Sequence, residues 1–163
     1  MDIPWVYNIS PALATLLLSM LPVFELRVAI PFAIANFSIP LWQIFIYSII
    51  GSFIPAIFIL YFLGPISNYL RKWSLGDRFF TWLFARTRAK FKQKYITWGK
   101  LALAFFVAIP LPGTGVWTGS LVAWLFNFNK QEALIYIALG SVLAGLIVVL
   151  ISVGAFTIFE RVL

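Results

Sequence analysis

Hydrophobic residues run along the chain in four long blocks, and one polar stretch separates the second block from the third. Segments that cross a bilayer as a helix need about 20 mostly apolar residues, and each block is long enough. The pattern predicts an all-α integral membrane protein, with residues 1–163 forming a single membrane domain. The blocks cover residues 9–37, 40–64, 100–127 and 131–160, and the polar stretch covers residues 65–99.

The first and third blocks are each interrupted near their middle. In the first, Pro22 and Pro31 bracket Glu25 and Arg27; in the third, the run from Pro110 to Gly115 holds two prolines and two glycines. Broken backbone and charge at membrane depth are tolerated only where protein or a wet cavity covers them. We therefore predict two re-entrant helical hairpins, 9–37 and 100–127, although one tilted, kinked helix is the alternative for the first.

The second and fourth blocks lack such breaks and are predicted to be transmembrane helices. Small residues recur along both of them, in patterns that allow two helices to pack closely. Together with the small size of the chain, this predicts a homo-oligomer, a dimer or higher, that associates through the small-residue faces. These residues are Ser48, Ser52 and Ala56 in the second block and Gly140, Ser141, Ala144 and Gly145 in the fourth.

The polar stretch and Lys100 hold nine of the twelve basic residues, against one acid, Asp77. The positive-inside rule places residues 65–100 in the cytoplasm. An apolar stripe at helical spacing predicts a basic amphipathic helix on the membrane surface, which either contacts lipid headgroups or only fixes the topology. We do not expect a nucleic-acid partner. The stripe consists of Phe80, Phe84, Thr87, Phe91, Tyr95 and Trp98.

The order of hairpin and span occurs twice. A shift of 89 residues places Gly51-Ser52 on Gly140-Ser141 and the first break on the second. A hairpin plus a span crosses the membrane once, so the two halves form an inverted repeat, as in many transporters. Both termini then lie outside. Four full spans, the rival topology, would place both termini inside.

Composition limits the chemistry. The chain is 63% hydrophobic and 10% charged, whereas a soluble domain carries roughly 25% charged residues. It contains no cysteine and no histidine, which removes thiolate sites and every triad that depends on an imidazole. The carboxylates show no ligand spacing. We expect no metal, no cofactor and no enzymatic activity.

The two breaks are predicted to face each other and form one site. Glu25 is the only acid at membrane depth, where a low dielectric favours the neutral acid, so it is a candidate proton carrier or half of a static ion pair with Arg27. In the second break, glycines expose backbone amides and a following half-helix aims its positive end at the midplane, which suits an anion. The predicted second-break residues are Pro110, Pro112, Gly113, Thr114, Gly115 and Thr118.

Two stretches carry a resemblance to a known family. The run from Glu25 to Pro31 and the run from Ala108 to Gly119 resemble the signature of the bacterial and archaeal small multidrug export membrane proteins. That family is regarded as a distant relative of the DedA (VTT-domain) proteins, which implies tip-to-tip re-entrant hairpins and movement of lipids with proton-motive force. DedA proteins typically carry an arginine after the second Pro-Gly, where this chain has Thr114.

These observations predict a small multi-pass transporter in the cell membrane, coupled to protons and surrounded by membrane lipids. Its expected substrate is amphipathic or anionic, such as a lipid or polyprenyl phosphate. A drug-cation exporter is one alternative. A membrane assembly or lipid-organising factor without turnover is the other.

Overall fold

The computed structural model of the protein describes residues 6, 8–90, 99–111 and 113–162. These residues form seven helices and no strand, so the predicted all-α class is confirmed for the described ranges. The helices are α1 (Pro11–Met20), α2 (Glu25–Asn36), α3 (Leu41–Leu70), α4 (Ser74–Lys90), α5 (Gly99–Ala108), α6 (Val116–Leu125) and α7 (Lys130–Val162).

Helices α3 and α7 are long and apolar enough to cross a membrane. α3 has 30 residues, and the part of α7 from Lys130 to Ala155 has 26, and each contains a long stretch of apolar side chains. At 1.5 Å per residue α3 extends about 45 Å, more than the roughly 30 Å of a hydrocarbon core. These are the two helices that the second and fourth hydrophobic blocks predict.

Helix α3 runs past the end predicted for it. The sequence places the end of the span at residue 64 because Gly64 and Pro65 follow one another, yet the helix continues to Leu70. A proline inside a helix removes one backbone hydrogen bond, and tertiary packing can compensate for that loss. Ser67 donates to the Gly64 carbonyl at 3.0 Å within this turn, and its side chain is buried.

The other hydrophobic blocks each form two short helices. α1, α5 and α6 have 10 residues and α2 has 12, so each extends about 15–18 Å, roughly half of a hydrocarbon core. The interruptions fall at residues 21–24 and 109–115, where proline, glycine and charge coincide in the sequence. The described residues therefore do not form four unbroken membrane-crossing helices.

The packing of helices follows one pattern in both halves. α1 packs on α3 and α5 packs on α7, and α2 and α6 each contact both long helices. A glycine lies where the short helix crosses the long helix in each half. A Cβ on Gly51 of α3 would lie 2.9 Å from the Ser19 Cβ of α1, and one on Gly140 of α7 would lie 2.6 Å from the Ala104 carbonyl oxygen of α5. The absence of a side chain at both positions lets the short helix of each half approach its long helix closely.

The small-residue faces of α3 and α7 lie inside the protomer. Ser48, Ser52 and Ser141 are fully buried, Ala144 packs in a cluster with Leu26 and Ile30 of α2, and Gly140 faces α5. These faces therefore serve contacts within the chain and do not supply the dimer surface that the sequence assigns to them. Homo-oligomerisation itself stays a prediction.

The apolar stripe of α4 faces the protein rather than a membrane surface. Phe80 and Thr87 are buried, and the Phe84 ring lies 5.1 Å from the ring of Trp124 in α6. The expectation that this stripe lies on lipid is wrong for these residues, because α6 and α3 already cover it. The rest of the stripe, Phe91, Tyr95 and Trp98, lies outside the described residues.

Candidate functional site

The first break leads directly into Glu25, whose backbone is in the left-handed region. Its φ is +46°, and its N–H donates to the Leu21 carbonyl at 2.9 Å. Non-glycine residues with positive φ are uncommon, and the conformation persists where surrounding contacts impose it. Ser52 of α3 supplies such contacts, since its hydroxyl accepts from the Leu26 N–H at 3.1 Å and donates to the Ser19 carbonyl at 3.3 Å.

The second break is shaped by two glycines and a threonine. Gly113 and Gly115 have φ values of +81° and +131°, which side chains disfavour. The Thr114 hydroxyl lies 2.7 Å from the Ile109 carbonyl oxygen and 2.8 Å from the Leu111 carbonyl oxygen, and its one proton is shared between them. These bonds fold the segment back on itself, so that α6 begins beside the end of α5.

The two breaks meet at the first turn of α6. Glu25 Oε1 accepts a hydrogen bond from the Trp117 N–H at 3.2 Å, and the Trp117 indole Nε1–H donates to the Met20 carbonyl at 3.1 Å. The first N–H groups of a helix lack intrahelical partners and carry the positive end of its dipole. Glu25 is therefore the anion at the α6 N-terminus, in the position where the sequence predicts that an anionic ligand binds.

Arg27 performs the complementary role at the end of α5. Its Nη2 donates to the carbonyls of Val107 at 3.1 Å and Ile109 at 2.8 Å. Its Nη1 donates to the Leu111 carbonyl at 3.0 Å and to the Thr114 carbonyl. The last carbonyls of a helix have no intrahelical donor, and one guanidinium from the first half of the chain satisfies them together with the carbonyls of the second break.

Glu25 and Arg27 also pair with each other. The carboxylate Oε2 lies 3.9 Å from Arg27 Nη1, and the two side chains are 8% and 16% exposed. Residues two apart do not face each other on a regular helix; the left-handed backbone at Glu25 makes the pairing possible. The buried Arg27 Nε is without a hydrogen-bond partner within the described ranges.

Gly115 fits against this pair because it has no side chain. A Cβ there would lie 2.9 Å from Arg27 Nη1 and in steric overlap with Glu25 Oε2. The ion pair and the backbone of the second break therefore occupy adjoining space with no room between them. Close backbone approach of this kind is one of the uses of glycine.

Two cavities adjoin Arg27. The first, of about 250 Å³, lies between the breaks. The second, of about 410 Å³, lies between α2 and α7 and has Val148, Ile151 and Ser152 in its wall. Arg27 and Pro110 line both, so they stand at the boundary of the two spaces. The first cavity is lined by Pro22, Val23, Phe24, Glu25, Arg27, Val28, Pro110, Leu111, Gly113, Thr114, Trp117 and Thr118.

The structure brings most of the sequence-predicted residues together. Arg27 is in direct contact with Glu25 and with Thr114, and Gly115 packs against the pair. Thr118 lines the first cavity, as do Pro110 and Gly113. Pro112 lies outside the described residues. Their role in binding a substrate or a proton stays a prediction.

Sequence reasoning missed two residues of this site. Ser52 was read only as part of a packing stripe, although its hydroxyl links α3 to the first break. Trp117 lies inside the recognised second motif, but nothing in the sequence shows that its backbone N–H and its indole bridge to opposite sides of the first break. Its position in the first turn after a glycine-rich break was the available signal.

The arrangement holds an ion pair away from water between the two backbone breaks. In a comparison with known protein families, the model of the family described as "putative small multi-drug export protein" matches residues 25–147. The match begins at Glu25, directly after the first break, and includes the second break. No curated protein and no solved structure matches the chain.

Proposed function

The chain belongs to the small multi-drug export protein family, whose members are membrane proteins, and from that premise we propose that it is a proton-coupled transporter of an amphipathic or anionic substrate. A lipid or polyprenyl phosphate is the substrate class that we put first, as the DedA-like resemblance implies. The observation that carries the proposal is the buried Glu25–Arg27 pair, held between two backbone breaks with a cavity on either side of Arg27.

The proposed coupling step begins with protonation of Glu25. The neutral acid no longer attracts Arg27 or complements the positive end of α6. An anionic headgroup can then occupy the first cavity, against Arg27 and the amides at the start of α6, while an apolar tail lies along the second cavity between α2 and α7. A proton and an anion thus bind together, and the departure of one favours the departure of the other.

We also propose that the two halves form an inverted repeat of re-entrant hairpins. The shared packing pattern supports it, as do the matching crossings at Gly51 and Gly140. Ala14 and Leu18 of α1 lie in one cluster with Ala29 of α2, which fits two arms folded back on each other. In this topology residues 65–100 are cytoplasmic, both termini lie outside, and the protein resides in the cell membrane.

The topology can be tested by labelling, because the chain has no native cysteine. We expect Asn8→Cys to react with a membrane-impermeant maleimide on intact cells, whereas Lys72→Cys, on the cytoplasmic side, reacts only after the membrane is permeabilised. Both residues are exposed in the structure. Labelling of both positions from the same side would contradict the inverted repeat, since α1, α2 and α3 together would then not make a single net crossing.

The coupling role of Glu25 is tested by Glu25→Gln. Glutamine keeps an oxygen that can accept from the Trp117 N–H but cannot ionise, so we expect normal folding and at least a tenfold loss of transport driven by a pH gradient. The measurement is lipid translocation in reconstituted vesicles with and without a pH gradient. Glu132→Gln is the matched control, because Glu132 forms a partly exposed pair with Lys100 away from both breaks.

A second candidate function is a lipid-organising or assembly factor without turnover. The observation that favours it is that the Arg27 guanidinium donates four hydrogen bonds to backbone carbonyls of the same chain, as expected of a static clamp. In that case Glu25→Gln would leave every vesicle assay unchanged. Efflux of a cationic dye that depends on Glu25, without lipid movement, would instead indicate a drug-cation exporter in which the cation competes with Arg27.

A further inference from the structure

Helix α4 has a second apolar stripe on the side away from the protein. Leu75, Phe79 and Trp82 are spaced four and three residues apart, which places them on one face. Their exposed fractions are 80%, 54% and 52%, in contrast to the buried Phe80 and Thr87 of the inner face. The helix is thus apolar on two faces, and only the inner one is covered by the described residues.

The position of α4 in the chain puts this outer stripe near a membrane boundary. Only three residues separate the end of α3 at Leu70 from the start of α4 at Ser74, so α4 begins at the depth at which α3 leaves the bilayer. Aromatic rings and cations gather at this junction. The rings of Tyr69 and Trp73 lie 5.5 Å apart, and Lys72 Nζ lies 5.6 Å from the centre of the Tyr69 ring. Amphipathic aromatic and basic side chains of this kind are enriched at the headgroup level.

A basic cavity of about 350 Å³ opens beside α4, on a different side from the outer stripe. Most of its lining is apolar, and the residues around it are Arg71, Thr81, Phe84, Ala85 and Arg88. Arg71 Nε donates to Asp77 Oδ1 at 2.8 Å, which orients the guanidinium beside this cavity. Two arginines and a threonine at one cavity can supply donors to the oxygens of a phosphate group at its mouth.

We propose that α4 and the end of α3 form a binding site for an anionic phospholipid. Arg71, Arg88 and Thr81 bind the headgroup phosphate, while Leu75, Phe79 and Trp82 enter the membrane interface. The outer apolar stripe selects a lipid surface over a soluble phosphate, because it would otherwise stay in water. The site is independent of the chemistry at Glu25 and Arg27 and is separate from the two cavities beside them.

The headgroup contact is tested by lipid retention. The purified full chain, equilibrated with phosphatidylglycerol and phosphatidylcholine of the same acyl chains, is analysed by native mass spectrometry. We expect it to retain phosphatidylglycerol preferentially. Arg88→Gln, which leaves the Arg71–Asp77 pair intact, should lower that preference about fivefold, and Arg71→Gln/Arg88→Gln should lower it further.

Arg78→Gln is the matched control, since it removes the same charge from α4 outside the cavity. It should change the preference less than twofold; an effect equal to that of Arg88→Gln would overturn the site in favour of general charge attraction. Displacement of the lipid by millimolar inorganic phosphate would overturn it in favour of a soluble anion.

Insertion of the outer stripe is tested with spin labels on the cysteine-free chain in anionic vesicles. A label at Phe79→Cys should be more accessible to oxygen than to a polar nickel reagent, and the opposite is expected at Ala85→Cys, on the cavity side. Equal, water-like accessibility at both positions would show that α4 stands clear of the lipid and would overturn the proposal.

Discussion

Replacing Arg27 with glutamine is expected to destabilise the protein by about 3–5 kcal/mol, the range found when one partner of a buried ion pair is removed. Two effects add. The carbonyls of Val107, Ile109, Leu111 and Thr114 lose the guanidinium as a donor, and the Glu25 carboxylate stays buried without its counter-charge. The measurement is the free energy of unfolding in mixed micelles titrated with a denaturing detergent.

The matched control is Arg71→Gln. Arg71 also pairs with a carboxylate, Asp77, but both side chains are substantially exposed, so the expected loss is below about 1 kcal/mol. The double variant Arg27→Gln/Glu25→Gln should recover part of the stability lost by Arg27→Gln alone, because no unpaired charge remains buried. A loss from Arg27→Gln no larger than that from Arg71→Gln would show that the contact does not hold the two halves together.

Replacing Gly115 with alanine is expected to destabilise the protein by about 4 kcal/mol, through backbone strain and steric overlap. The backbone at Gly115 has φ +131° and ψ −171°, a region that is almost restricted to glycine. The added methyl group would also displace Glu25 and Arg27 from each other. The same unfolding measurement applies, and transport should be lost in any fraction that folds.

Gly154→Ala serves as the control for this substitution. Gly154 lies in α7, and no heavy atom lies within 4 Å of the position its Cβ would take. Alanine there should be neutral or stabilise the helix by up to about 1 kcal/mol. In a Glu25→Ala background the overlap with the carboxylate is removed, so the further loss caused by Gly115→Ala should fall to the backbone strain and the close contact with Arg27 Nη1, about 1–3 kcal/mol. An undiminished loss in that background would mean that the methyl group does not act through the ion pair.

The sequence predicts the positions of the breaks well because their causes are local. Proline removes a backbone donor, glycine permits positive φ, and charge is rare at membrane depth, so each break shows in the residues that make it. The same signals single out Glu25, Arg27 and Gly115. The end of α3 is less predictable, because whether Gly64 and Pro65 end a helix depends on packing elsewhere in the fold.

The partners of Arg27 could not be predicted, because carbonyl groups have no sequence signature. All four of its hydrogen-bond acceptors are main-chain atoms about 80 residues further along the chain.

The orientation of α4 about its own axis cannot be read from the sequence for a different reason. The helix has two apolar stripes, one starting at Phe80 and one at Leu75, and periodicity alone does not say which of them faces inward.

The dependence of Arg27 on main-chain acceptors bears on how the two halves can diverge. A substitution at Val107, Ile109 or Leu111 changes a side chain but leaves in place the oxygen that the guanidinium binds. The exposed positions 109 and 111 can therefore change in residue identity, provided that the path of the backbone is kept, whereas Val107 is held by its packing in the core. Positions 25 and 27 of the first half have no such freedom, because their side chains make the contacts. The two halves therefore tolerate substitutions unequally at this interface, although their packing is nearly symmetric.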